Sequence, residues 1–427
     1  MKWSVFVGHW SQINRKVSSR GSYNHRSIQQ QPATRPELSQ KVVNLSDDRL
    51  SFFERMSESR LVSELPSPAF LVNLPTAQRN ADRMLERFRQ LRVTLRPHMK
   101  THKTLEGGVI MTGGTRRCIA VSTLAEARFF ADGGFDDILY AFPVSADKVE
   151  QCAILTERLE VFSVLVSEFD TLPRLAARTL AKGKVWHIWL KVDCNNGRAG
   201  VFVDQPEAFD LALKIGRSAA MKLDGIYAHC GNTYHCHSVA EIQAVAENTT
   251  EKILAFCSRL AEVGVTTRSS IGSTPSCSLP VPRMGALSEV HPGNYFFYDV
   301  QQLHLGSCRA EDVAVRVLTR VVAHIRHRGQ LLVDCGWTAI SLHGHGRLPS
   351  GYAVIQDHPE IRLVEMSQEH GLIDASEGQE MDFEKFPLGA ALFLIPYHSC
   401  AAAAMHSVYH VHDGDTVLEM WTPCRGW

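Results

Sequence analysis

A lysine that acts as a nucleophile needs neighbours that keep it poised and a second site for the rest of its partner. The stretch Leu95-Arg96-Pro97-His98-Met99-Lys100-Thr101-His102-Lys103-Thr104 supplies the neighbours. Leu91 to Leu95 alternates with period two, which predicts a strand, and helical spacing resumes after Lys103. Lys100 therefore falls near the C-terminal end of a strand, where α/β barrels carry their chemistry. Arg96, Lys103 and, if protonated, His98 or His102 are expected to surround it with positive charge. A deprotonated amine there can form a Schiff base with a carbonyl compound. A single lysine at a strand end is more often just solvated, so the assignment depends on what the rest of the chain brings to it.

Gly272-Ser273-Thr274 and Pro292-Gly293-Asn294 fall where the seventh and eighth strands of such a barrel would end. Backbone N–H groups freed by glycine, with a Ser or Thr hydroxyl, suit a phosphate at that place. Either segment alone is an ordinary turn. Opposite a Schiff-base lysine they fit pyridoxal 5′-phosphate, which needs both an amine and a phosphate anchor. Tyr227-Ala-His-Cys-Gly-Asn-Thr-Tyr234-His-Cys-His237 contains metal-ligand types, but its residues lie too close in sequence for an unstrained tetrahedral site. The expectation there is polar loop lining, with Tyr227 and Tyr234 as aromatic walls of the cofactor site. Asp193 is expected at the end of the fifth strand. His398 and Cys400 follow an apolar strand, and period two would set both on one face, as two zinc ligands with open positions beside them.

These residues need a frame. Apolar periodicity predicts helices over 75–90, 104–112, 124–133, 145–157, 168–182, 206–217 and 238–263, alternating with strands that end near 100, 123, 142, 167, 194, 230, 273 and 299. Eight strands alternating with helices argue for a (β/α)8 barrel of the TIM type, preceded by a short strand over 66–73. Its weak point follows Ser273, where Pro275, Pro280 and Pro282 leave little room for a helix. From about residue 306 the segments 313–325, 330–341, 352–356, 361–369, 392–396, 407–412 and 416–421 read as strands, giving a C-terminal all-β domain. The expected division is a leader with a short helix over 42–56 in residues 1–60, a barrel over 61–305 and the β domain over 306–427.

A chain of 427 residues fits about two domains, and its formal charge of zero lacks the footprint of a nucleic-acid or anionic-membrane partner. No apolar run is long enough to span a bilayer. Eleven cysteines without a C-x-x-C pair fit reduced thiols and a reducing compartment, so the expected location is cytoplasmic. The first 36 residues carry Lys2, Arg15, Lys16, Arg20, Arg26 and Arg35 but no acidic residue, a composition shared by mitochondrial targeting peptides and plain leaders.

Arg96-Pro-His-Met-Lys100-Thr-His-Lys, Ala228-His-Cys-Gly-Asn-Thr-Tyr234, Gly272-Ser-Thr-Pro275, Glu289-Val-His-Pro-Gly-Asn-Tyr-Phe-Phe-Tyr-Asp299, His398-Ser-Cys400 and the closing Arg425-Gly-Trp427 together resemble the zinc-dependent eukaryotic D-serine dehydratases. That family belongs to the alanine-racemase-like, fold-type III pyridoxal-phosphate enzymes and is related to the D-threonine aldolases. The resemblance spans roughly residues 60 to 427. It implies a homodimer acting on a small β-hydroxy-D-amino acid. By this resemblance Lys100 holds the cofactor and then takes the substrate's α-proton, while Tyr227, Tyr234, Thr274, Gly293 and Asn294 contact the cofactor. His398 and Cys400 bind a zinc ion that assists loss of the β-hydroxyl. The alternatives are retro-aldol cleavage of the D-threonine aldolase type and a non-catalytic pyridoxal-phosphate carrier; the β domain with its His398 and Cys400 argues against the carrier. The leader and the histidine-rich stretch 405–412 have no role in this reading.

Overall fold

The structure, a computed structural model, describes residues 60–427. The expected leader and the helix over 42–56 lie outside the described residues. Eight parallel strands make up the main path of the first sheet, Thr94–Leu95, Ile119–Val121, Asp137–Pro143, Val161–Val166, Trp186–Asp193, Met221–His229, Arg268–Gly272 and Glu289–Val290, with the short Val201–Phe202 paired off this path to Trp186–Asp193. Each lies beside the next in sequence, and Glu289–Val290 returns to pair with Thr94–Leu95. The sheet closes where the chain beyond Leu95 reaches Ile119–Val121: His98 bridges Ala120, and the Ala120 N–H donates to the Pro97 carbonyl at 3.0 Å. Val161–Val166 reads as a continuous apolar run because helices cover one face and the barrel interior the other. Short polar caps start the crossover helices: Thr104, Thr123 and Ser238 each accept a backbone N–H from the first turn.

One barrel expectation changes and another holds. The eighth strand was expected to run from 289 to 299 but stops at Val290. Pro292 has no N–H to continue a ladder, and the chain tightens into the 3-10 turn Asn294–Phe296. After Ser273 the three prolines allow only the helix Thr274–Ser278 and the 3-10 turn Pro282–Ala286.

The second sheet has the order Ile361–Met366, Gly371–Ala375, Gln330–Val333, Val315–Ile325, Ala69–Asn73, Tyr409–Asp413, Thr416–Trp421, with Ala391–Pro396 joining Val315–Ile325 to Ala353–Ile355. Ala69–Asn73 is therefore a central strand of the C-terminal sheet, although the sequence reading grouped 61–73 with the barrel. The reason is in the residues: Phe70, Leu71 and Val72 are fully buried, so the strand needs a neighbour on each edge and cover on each face. It is antiparallel to Val315–Ile325 and parallel to Tyr409–Asp413. The strand expected over 330–341 ends at Val333. At Gly336 a Cβ would lie 2.3 Å from the Ser367 and Gln368 carbonyls, and the helix Trp337–Ile340 follows. A second helix, Ser399–Met405, interrupts what was expected to be strand and loop alone.

One continuous apolar core runs through both sheets. Phe70 packs on Phe297 and Tyr409 at ring separations of 6.0 and 4.8 Å, and Phe296 stacks on Trp421 within 7°. Such rings bury large apolar areas and prefer these tilted or offset arrangements, so the seam fixes where the end of the barrel meets the β domain.

Candidate active site

The basic cluster sorts itself by partner. Arg96, buried inside the barrel, pairs with Glu289 at 2.8 Å and Asp137 at 2.9 Å, and Lys103 pairs with the buried Glu126 at 2.9 Å. Burial holds His98 well below its usual range and takes His102 down to about 3, so both are neutral. The expected ring of positive charge around Lys100 is thus absent from these four residues: two are matched by carboxylates and two are uncharged. His98 caps the 3-10 turn Met99–Thr101 by accepting the Lys100 N–H at 3.3 Å. The Lys100 side chain is the member of the cluster left with no hydrogen-bond or ion-pair partner among the described residues.

Lys100 opens into a cavity of about 850 Å³ at the C-terminal ends of the barrel strands, and the same cavity is lined by Tyr227, Tyr234, Thr274, Gly293, Asn294, His398 and Cys400. All eight residues nominated from the sequence therefore meet in one place. The Tyr227 ring stacks on His291 at 3.7 Å, 13° from parallel, giving the cavity a flat aromatic floor. Burial raises the Tyr234 phenol, which bonds to Thr274. Gly293 passes so close to the first strand's extension that a Cβ would lie 2.7 Å from the His98 carbonyl oxygen. The Thr274 backbone N–H is directed at the Tyr234 phenol oxygen, whereas no acceptor among the described residues is given for the backbone N–H groups of Gly293 and Asn294.

Asp193 does not join them. Its carboxylate turns back to accept the Asn196 and Gly197 N–H groups at 2.6 and 2.9 Å and shapes its own loop. In its place stand residues the sequence reading missed: Lys191 and Arg198 from the same βα segment, and His343 and Arg347 from the β domain. Among the described residues no Asp or Glu lines the cavity. Burial, then the Arg198 charge, pushes Lys191 down to about 8. Lys191 was legible only as a lysine inside an apolar strand run, which by itself names no role.

His398 and Cys400 do converge, though not as alternate residues of a strand. His398 is the extended N-cap of Ser399–Met405, and Cys400 lies in that helix's first turn. Cys400 Sγ is 3.2 Å from the Thr101 hydroxyl, one residue beyond Lys100. Burial alone would raise the Cys400 thiol, but His398, then Lys100 and Thr101, outweigh it and bring the thiol down to about 7. Burial likewise opposes a charge on His398, yet Cys400 and Asp299 hold it well above its usual range. Among the described residues no group of three or more His, Cys, Asp and Glu side chains could hold a metal ion, so this pair would bind one with positions left open.

The alanine racemase N-terminal domain family matches residues 72–300, and a serine dehydratase domain matches residues 314–412. The chain is 33% identical over 389 residues to the D-serine dehydratase of Dictyostelium discoideum, covering 86% of this chain and 98% of that one. The chain belongs to the alanine-racemase-like D-serine dehydratase family. The solved D-threo-3-hydroxyaspartate dehydratase of Delftia sp. HT23 superposes with a TM-score of 0.80 at 31% identity, covering 86% of this chain and all of that one. The alanine racemase of Clostridium difficile, at 13% identity and a TM-score of 0.61, shares the fold.

The family implies pyridoxal phosphate, and the cavity suits it on its own terms. An unpaired amine, a flat aromatic floor, two free backbone N–H groups beside the Thr274 hydroxyl and four cationic side chains without a carboxylate match an aldehyde, a ring and a phosphoester. The hydroxyaspartate dehydratase has been solved as a histidine-to-alanine variant and as a cysteine-to-alanine variant two positions away, the latter in a metal-free form. His398 and Cys400 have the same spacing, and a thiol already near 7 with a histidine beside it is a donor set suited to a divalent metal.

Proposed function

We propose that this chain is a pyridoxal-phosphate- and zinc-dependent D-serine dehydratase, a lyase that converts D-serine to pyruvate and ammonia. The observation that carries the reading is the 3.2 Å contact between Thr101 and Cys400, which sets the amine of Lys100 and the two candidate metal donors on one cavity. Bound pyridoxal phosphate supplies an electron sink for charge developing at Cα, and bound zinc supplies a Lewis acid for a departing hydroxyl. Gly293 and Asn294 would hold the phosphoester through their free N–H groups, with Thr274, fixed by Tyr234, beside them. Tyr227, backed by His291, would carry the ring. Lys100 would anchor the cofactor, and its amine, once free, would take the proton from Cα. His398 and Cys400 would hold the metal on the side where the β-hydroxyl leaves.

Incubating zinc-replete, cofactor-loaded protein with D-serine, L-serine and D-threonine tests this. Pyruvate and ammonia from D-serine alone are expected. Glycine and an aldehyde from D-threonine would show retro-aldol cleavage instead, and no turnover of any D-amino acid would leave a non-catalytic carrier. One observation favours a second substrate: Arg347 adds a positive charge to a cavity lined by no carboxylate among the described residues, which suits a β-hydroxy acid with a further carboxylate. D-threo-3-hydroxyaspartate belongs in the same assay. A homodimer is proposed from the family and from Phe142, which lines the cavity while 55% exposed. Light scattering should then give a mass near twice 47.6 kDa. Cytoplasmic residence is proposed from the eleven free cysteines, and an N-terminus processed in a mitochondrial fraction would refute it.

A further inference from the structure

Asp299 is fully buried where the barrel hands the chain to the β domain, and its carboxylate is shared among more donors than a helix cap requires. Oδ1 accepts the Gln302 N–H at 3.0 Å, which caps the helix Val300–His304. Oδ2 reaches across to the other domain. It accepts the Ser399 N–H at 2.9 Å, the Ser399 hydroxyl at 3.2 Å and the His398 Nδ1–H at 3.2 Å, together with the Asn294 amide at 2.8 Å. That same Asn294 nitrogen lies 2.7 Å from Ser399 Oγ and 3.6 Å from Cys400 Sγ. Both candidate metal donors are therefore tied, directly or through one amide, to a single carboxylate that contributes nothing to the cavity wall.

The geometry decides which histidine nitrogen faces outward. An imidazole whose Nδ1–H is donated to Asp299 presents Nε2, with its lone pair, away from the carboxylate. The ring cannot turn over without giving up that bond and leaving the buried Asp299 oxygen one donor short. We propose that Asp299 is the positioning residue of the metal site: it fixes the tautomer and orientation of His398 so that Nε2 is the ligating nitrogen, and through Asn294 it holds Cys400 at matching distance. This rests on the reading of His398 and Cys400 as zinc ligands. A purely structural Asp299 would cap two helices and leave metal affinity alone.

The two roles separate by experiment. Zinc affinity is measured by competition with a chromogenic chelator on metal-stripped full-length protein, for wild type, Asp299→Asn and Ser399→Ala. Asp299→Asn is expected to weaken zinc binding about 10- to 100-fold, the range found when a ligand's outer partner is removed. It should keep the cofactor's visible absorbance. Ser399→Ala removes another donor to the same oxygen but leaves the His398 bond, so its zinc affinity should stay within about threefold of wild type at a comparable loss of thermal stability. Equal affinity in Asp299→Asn and wild type, or an equal loss in both variants, overturns the positioning role alone. Wild-type protein that takes up no zinc removes the metal reading and this inference with it. Should Asp299→Asn fail to fold, nitrogen-15 histidine spectra of zinc-loaded wild type decide the matter. Metal on Nε2 with a protonated Nδ1 supports the proposal, and metal on Nδ1 overturns it.

Discussion

Replacing Lys191 with methionine should stabilise the cofactor-free protein at neutral pH, although it removes a hydrogen bond. Lys191 is 4% exposed in the barrel strand Trp186–Asp193, and its ammonium donates to the Val192 carbonyl at 2.8 Å. Burial and the neighbouring Arg198 lower it from 10.5 to about 8, against a smaller pull from Asp193. The unfolded chain therefore holds this proton between pH 8 and 10.5 while the folded chain does not, so unfolding free energy rises with pH across that window. Below pH 8 both states are charged and the full penalty stands, roughly 3 kcal/mol at about 1.4 kcal/mol per pH unit. Methionine removes the penalty and loses a hydrogen bond of about 1 kcal/mol, for a net gain near 2 kcal/mol at pH 7. Urea denaturation of both proteins without cofactor checks it: the gain should be present at pH 7 and vanish by about pH 10. A gain equal at both pH values, or a loss at pH 7, would refute the argument that an uncompensated charge is stored there. With cofactor the ranking should reverse, since an anionic ligand relieves the penalty only where the lysine is present.

Arg96→Met leaves Glu289 buried without its main partner and should cost about 3 to 5 kcal/mol in chemical denaturation, while adding Glu289→Gln should recover most of the loss. A single-variant loss under about 1 kcal/mol would mean the barrel end does not depend on the pair. Gly293→Ala forces a methyl to within 2.7 Å of the His98 carbonyl, so a stability loss of about 1 to 3 kcal/mol is expected, with weaker retention of pyridoxal phosphate in a spectral titration. Unchanged retention would separate Gly293 from the cofactor site. Arg347→Gln should lower kcat/KM for D-threo-3-hydroxyaspartate about tenfold relative to D-serine, and an unchanged ratio would remove Arg347 from substrate selection.

The strand ends were legible because apolar periodicity and capping residues are local signals, and the barrel follows from their alternation. What local pattern could not supply is what distant residues do to each other. Arg96 reads as a companion of Lys100 until Glu289, almost two hundred residues away, takes it into the barrel interior. Ala69–Asn73 reads as a preface to the barrel because its first neighbour in sequence is a barrel helix; its neighbours in space, Val315–Ile325 and Tyr409–Asp413, come far later. The pairing of His398 with Cys400 was reached from a period-two argument, whereas the structure achieves it with an extended cap followed by a helical turn. Asp299 was visible only as the last letter of a motif, because nothing in its own neighbourhood discloses that its carboxylate faces another domain.

That cross-domain arrangement bears on how the chemistry can be coordinated. In the proposed reaction, removing a proton from Cα and expelling a group from Cβ act on adjacent carbons, so an amine that takes the proton and a metal that meets the leaving oxygen would have to keep a fixed separation. Here Lys100 belongs to the barrel and the candidate metal donors His398 and Cys400 to the β domain. The Ser399–Met405 helix is secured at both ends to bridge them: Asp299 holds its N-terminus, and Arg425 donates to the Ala403 carbonyl at 2.8 Å and to the His406 carbonyl at its C-terminus. Cys424 N–H in turn donates to the Lys103 carbonyl at 2.7 Å, returning the chain end to the segment that carries Lys100. The last residues of the chain thereby close a loop of contacts around the cavity. Truncation before Cys424 should accordingly loosen the registration of Cys400 against Lys100. The expected signature is weaker zinc binding with borohydride trapping of the cofactor on Lys100 retained, and zinc affinity equal to that of the intact chain would show that Asp299 suffices on its own.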